Sequence, residues 1–194
     1  MSSRADNREK TTEKVLAAAE RLFADRSFQG STVRDIAKAA GVSVGTVMGV
    51  GDKSGLLVQV FERQIRRIHD DRREYIWSQD DIEKDLGDRV VALLWPFVQT
   101  FTADPALSRE YGAVLMRGSH SSKVFQELAE VLVREITLVL NSAGFVGEVA
   151  AARTIYLSYL GLLFVWAGSG RDDDASFVEG IHSVVHFIIR SREG

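Results

Sequence analysis

The chain contains no cysteine, and only two of its 194 residues are proline. Without thiols, a disulfide scaffold, a cysteine-ligated zinc ribbon and thiol catalysis are excluded, and the composition fits a reducing compartment. The two prolines, Pro96 and Pro105, leave little to interrupt helices, an early pointer to an all-α protein. Long apolar runs are also scarce. The longest stretch free of Asp, Glu, Lys and Arg, 154–170, is 17 residues and includes Thr, Ser and glycines. A bilayer span needs about 20 mostly apolar residues, so this stretch reads as a buried core helix and no membrane partner is expected. The first twenty residues are polar and charged, with no apolar core of a signal peptide, so a cytoplasmic location is expected. What remains is ordinary: 45% hydrophobic residues, 26% charged residues and a net charge of −3. A chain of this size buries about 70% of its unfolded surface, enough for a real core.

The net charge hides an asymmetry. Residues 1–76 carry 14 Lys/Arg against 11 Asp/Glu, a net of +3, while residues 77–194 carry 10 against 16, a net of −6. A mildly basic head on an acidic body is the pattern expected when one end meets a polyanion.

Apolar periodicity then places the helices. Val15, Leu16, Ala19, Leu22 and Phe23 share one face of a 3.6-residue period and predict a helix over 7–25. Thr32 followed by Asp35 has the form of a capping box and opens a short helix closed by Gly41; Ser43 caps the next one. Small Ala37, turn-tolerant Gly41 and apolar Val47 sit where a helix-turn-helix needs them. A longer helix from Asp52 to about Trp77 buries Leu56, Leu57, Val60, Phe61, Ile65 and Ile68, and acidic residues from Asp80 to Asp88 mark a boundary. Leu86 to Phe101 keep helical spacing, with a kink expected at Pro96, and Asp104-Pro105 opens a helix to about Arg117. Another helix, marked by Phe125 to Val139, ends near 141–144. The last two, about 147–168 and 175–192, expose more apolar surface than one chain can cover, so a twofold dimer through them is expected.

The run Val15–Phe23, Phe28, Thr32–Ala37, Ala40–Ser43, Gly45–Val47 and Lys53 with Leu56-Leu57 resembles the tetracycline-repressor (TetR) family of bacterial transcription regulators. The resemblance covers about fifty residues. It implies nine helices: a DNA-binding domain over 1–52, a connecting helix over 53–77, and a ligand-binding and dimerisation domain over 78–194. The implied protein is a homodimeric repressor, released from a palindromic double-stranded operator by a small hydrophobic effector. Carried over residue by residue, the DNA contacts fall on Thr32, Arg34, Ser43, Val44, Gly45, Thr46, Met48 and Lys53. Here the chain departs from the family, which usually continues Gly-Thr-Leu-Tyr-x-[Tyr/His]-Phe before the Lys. Gly45-Thr46-Val47-Met48-Gly49-Val50-Gly51-Asp52 stands in its place, and Ser27 replaces the usual Gly before Phe28. The presumed groove face therefore has few of the bidentate donors that discriminate bases. The alternative reading follows from that: a helical sensor or interaction protein of the same fold, with weakened or lost operator binding.

Trp95, Phe97, Phe101, Tyr111, Met116, His120, Tyr159 and Trp166 are the candidate effector pocket, with Glu110, Arg117, His120 and Tyr159 as polar handles. His182 and His186 have the i, i+4 spacing of a metal pair, but Ser183 lies between them where a zinc hydrolase has Glu. No third ligand is evident in sequence, so no metal site and no cofactor are expected. The run Ser119-His120-Ser121-Ser122 carries nucleophile and base types in a turn, which is no triad, so no catalytic residues and no enzyme activity are expected.

Overall fold

The computed structural model describes residues 4–72, 85–118, 123–170 and 174–191. Among them are nine α-helices and no strand: α1 (Arg4–Gly30), α2 (Val33–Ala40), α3 (Val44–Val50), α4 (Lys53–Arg72), α5 (Leu86–Thr102), α6 (Pro105–Met116), α7 (Lys123–Ser142), α8 (Glu148–Ser169) and α9 (Asp174–Arg190). The acidic run at 80–84, the turn at 119–122 and Trp77 fall outside the described residues. Packing divides the chain into two compact units, Met1–Gln64 with Ala106–Ser122, and Ile65–Pro105 with Lys123–Gly194. Helix α4 thus contributes to both.

The first unit is built around α1, α2 and α3, with Val15, Ala19, Phe23, Ile36, Val47, Leu56, Leu57 and Val60 fully or almost fully buried. The first helix runs on past 25 to Gly30, but only across a break at Ser27, whose φ of 65° and ψ of 165° are not helical. That backbone region is essentially glycine's, which is why the family's usual residue there is Gly. Ser27 is anchored in place: its carbonyl and that of Leu22 accept bonds from the Ser31 hydroxyl, each at 2.9 Å. The face of α4 turned to α1 carries Arg63, buried between Glu13 and Glu20, with Gln64 donating to Glu20 as well. In the same unit Phe61 stacks on Tyr111 at 4.3 Å, and Gln29 donates to Glu110 at 2.7 Å.

The second unit is a bundle in which α7 packs on α8, α8 on α9, α9 on α5 and α5 on α7. Asp85 caps α5 by accepting the Gly87 N–H at 2.8 Å, and the helix continues across Pro96 to Thr102. Helix α8 buries Ala151, Ala152, Ile155, Tyr159, Leu163 and Trp166, while Leu157 and Val165 are 65% and 71% exposed. At 22 residues α8 is long and apolar enough to cross a membrane by length and composition, longer than the 17-residue charge-free stretch suggested. Gly170, at φ 67°, ends it, and the Trp166 indole donates to Asp174 at the start of α9.

Candidate nucleic-acid interface and effector cavity

The helix-turn-helix is closed by its own short-range hydrogen bonds. The Thr32 N–H donates to Asp35 Oδ2 at 3.0 Å, and the Asp35 N–H donates to Thr32 Oγ1 at 3.2 Å, completing the capping box. The Thr32 hydroxyl also donates to Asp35 Oδ2, and this bond, then the one from the Thr32 N–H, holds the Asp35 carboxyl below its ordinary value, with Arg26 and Lys38 adding to the effect. Gly41, at φ 67°, makes the left-handed turn, and its N–H meets the Lys38 carbonyl. Ser43 then caps α3 by accepting the Thr46 N–H at 3.0 Å. At the other end the Gly51 N–H donates to the Val47 carbonyl and Gln59 donates to that of Val50. These caps and the fully buried Val47 hold α3 helical across Gly45 and Gly49, where propensity alone counts against it by about 1 kcal/mol per glycine.

Of the residues expected to meet DNA, Arg34, Ser43, Val44, Gly45 and Met48 are exposed. Thr32 is exposed with its hydroxyl engaged in the cap, and Thr46 is half-buried beside Ser43. Lys53 holds its ammonium 4.3 Å above the Phe28 ring, at the start of a helix capped by Asp52 through the Gly55 N–H. Sequence reasoning missed a polar groove beside α3, where Asn7, Arg8 and Thr11 of α1 line up with Thr46 and Gly49. The only sequence signal for it is the polar, charged start of α1.

The second unit holds a half-open cavity of about 40 Å³, lined by Ile65, His69, Phe97, Phe101, Leu132, Tyr156 and Tyr159 among others. Three of the eight expected pocket residues, Phe97, Phe101 and Tyr159, meet there. Trp95 is 41% exposed on α5, and Trp166 stacks on Phe177. Tyr111 and Met116 belong to the first unit, as do Glu110 and Arg117; His120 lies outside the described residues. The polar element of the cavity is one that the sequence pattern hid. His69 is 5% exposed, tilted against Phe97, with Nδ1 3.5 Å from Oε1 of the equally buried Glu135. Neither imidazole nitrogen makes a hydrogen bond among the described residues. Burial pushes the Tyr156 phenol up to about 12, so it stays a neutral donor at physiological pH.

Residues 15–49 match the family model described as bacterial regulatory proteins, tetR family. Over those residues the chain is similar to the regulatory domain of that family. Its helix-turn-helix is a DNA-binding module of transcription regulators. No curated protein matches the chain by sequence. Solved structures show that the TetR-family fold extends over nearly the whole chain. A transcriptional regulator from Rhodococcus sp. Rha1 is 17% identical, with a TM-score of 0.68 over 94% of this chain and 98% of that one. The Thermus thermophilus repressor FadR, solved with lauroyl-CoA, is 20% identical, with a TM-score of 0.66 over 91% and 92%. Bacillus subtilis FadR, solved with stearoyl-CoA, is 17% identical, with a TM-score of 0.53 over 91% and 97%.

Proposed function

We propose that the chain is a cytoplasmic, homodimeric transcriptional repressor, with no enzyme activity, that leaves a palindromic operator when a small hydrophobic effector binds. The observation that carries this reading is the completed helix-turn-helix. Its capping box, left-handed Gly41 and buried Val47 leave Arg34, Ser43, Val44, Gly45 and Met48 outward on one module. Residues 1–52 act as the reading head, 53–77 as the connecting helix and 78–194 as the sensing and dimerising part. In this reading Arg34 and Lys53 meet phosphate or a groove edge. Val44 and Met48 give apolar contact with thymine methyls, and DNA shape supplies much of the specificity.

The cavity supports an effector with an apolar body and one polar group, since aromatic and aliphatic walls surround His69 and Tyr156. The acyl-CoA ligands of two fold neighbours support the same class. At about 40 Å³ the cavity takes a few waters and no more, so the effector enters by parting α5, α7 and α8. Helix α4, which supplies Ile65 and His69 to the wall, carries the displacement along its own length to the residues after α3. The exposed Leu157 and Val165 of α8 and Phe187 of α9, 74% exposed, support a dimer through these two helices. A dimer sets two recognition helices about one DNA turn apart.

A gel-shift titration against the DNA upstream of the chain's own gene tests the reading. A specific shift, lost in Arg34→Ala and reversed by a hydrophobic ligand, is expected. No specific shift even at low salt would sink the repressor and favour a sensor of the same fold without an operator, the reading that the donor-poor face of α3 supports.

A further inference from the structure

Helix α9 carries His182 and His186 one turn apart, with ring planes 8° from parallel and centroids 6.2 Å apart. The third ligand that the linear sequence hides comes from 94 residues earlier than His182, at the start of α5. One nitrogen of each imidazole and one oxygen of Asp88 lie within 4.8 Å of one another. His186 Nε2 is 3.2 Å from Asp88 Oδ1, and its Nδ1 is 3.5 Å from Asp85 Oδ1. Asp85 is itself fixed, because the same oxygen accepts the Gly87 N–H as the cap of α5. Gly87 completes the cradle: a Cβ there would come within 2.5 Å of the His186 ring, so only glycine lets the imidazole sit on the first turn of α5.

We propose that His182, His186 and Asp88 form a binding site for a divalent transition-metal ion of the zinc class, with Asp85 as the carboxylate that orients His186. The donor set is the one such ions favour, two imidazoles and a carboxylate with a position left for water. The arrangement around His186 has its own logic. Without a metal, Nε2 and Asp88 Oδ1 share a proton in a 3.2 Å hydrogen bond; a cation between them takes that proton's place, while the Nδ1 proton is directed at Asp85. A carboxylate–histidine–metal relay of this kind fixes the tautomer and raises the ligand's basicity. Tetrahedral coordination at about 2.0–2.1 Å sets donors roughly 3.3–3.5 Å apart, which rotation of the Asp88 and His182 side chains reaches from the observed spacing. Bound there, the ion ties the start of α5 to α9.

The test uses untagged, EDTA-dialysed full-length protein, titrated with Zn²⁺ against a chromogenic chelator and with Co²⁺ followed by its visible d–d absorption. The expected result is one equivalent per chain, a tetrahedral-type cobalt band, and a zinc-dependent rise in Tm. His182→Ala and Asp88→Asn should abolish all three while melting like the metal-free wild type. Asp85→Asn should keep the stoichiometry and weaken binding about 10–100-fold. Absence of saturable binding overturns the proposal, as does binding that survives His182→Ala or Asp88→Asn. Because none of these readouts involves DNA, the site stands or falls independently of the operator-binding reading.

Discussion

The two units of this chain are held together by different physics. In the first, helix starts are specified by bonds that span three residues: Thr32 with Asp35, Ser43 with Thr46, and Asp52 with Gly55. One buried cation, Arg63, is added between two glutamates. In the second, helices of 17 to 22 residues such as α5, α8 and α9 meet mainly through apolar faces. Their charged contacts gather at the α5 start and at His69. A module held by local caps presents its surface in one fixed form, which suits reading DNA. A bundle held by non-directional burial leaves room to open and apolar surface to share, which suits sensing and pairing.

The largest test of that contrast is at the exposed face of α8. Changing both Leu157 and Val165 to Glu should convert a dimer to a monomer in sedimentation velocity, with the far-UV helix signal retained; an unchanged sedimentation coefficient would remove that face from the dimer. In the first unit, Arg63→Ala removes the cation shared by Glu13 and Glu20. Both partners keep some solvent, so the loss in urea unfolding should be about 2 kcal/mol, below the range for a fully buried pair. Smaller and opposite in sign is Ser27→Gly. It relieves a backbone conformation that costs a non-glycine residue roughly 1–3 kcal/mol but loses a 3.3 Å bond from the Gly30 N–H, so a net gain of about 1 kcal/mol is expected. A loss of stability would show that the serine is not strained. The smallest effect belongs to Asp35. Its carboxyl titrates lower folded than unfolded, so its contribution is present above the unfolded value and disappears as pH falls through the folded one. Asp35→Asn should therefore melt below wild type at neutral pH, and the gap should close in acid below about pH 4.

The same contrast explains what could be read from the sequence. The capping box, the Gly41 turn, the Ser43 and Asp52 caps and the buried Val47 were legible because each depends on a few neighbouring residues. Helix positions in the bundle were legible from periodicity, and so was the apolar excess of α8. Which side chains meet across the bundle was not. Trp95 and Trp166 share the composition of pocket residues with Phe97 and Phe101, and only packing separates them. His69 and Glu135 looked like ordinary polar residues 66 positions apart. Asp88 gave no sign of facing His182 and His186, because it stands 94 positions before the nearer histidine in sequence. Ser27 announced a departure from the family, but the positive φ that makes it consequential is a property of the folded chain.

In the proposed reading a locally capped head reads DNA for a paired bundle. DNase footprinting on the region upstream of the chain's own gene tests it most directly. The prediction is one protected site made of two half-sites in inverted repeat, about one helical turn apart. Protection should fall steeply with added salt, as phosphate contacts by Arg34 and Lys53 require. Uniform or absent protection at low salt, with the protein folded and dimeric, would contradict it.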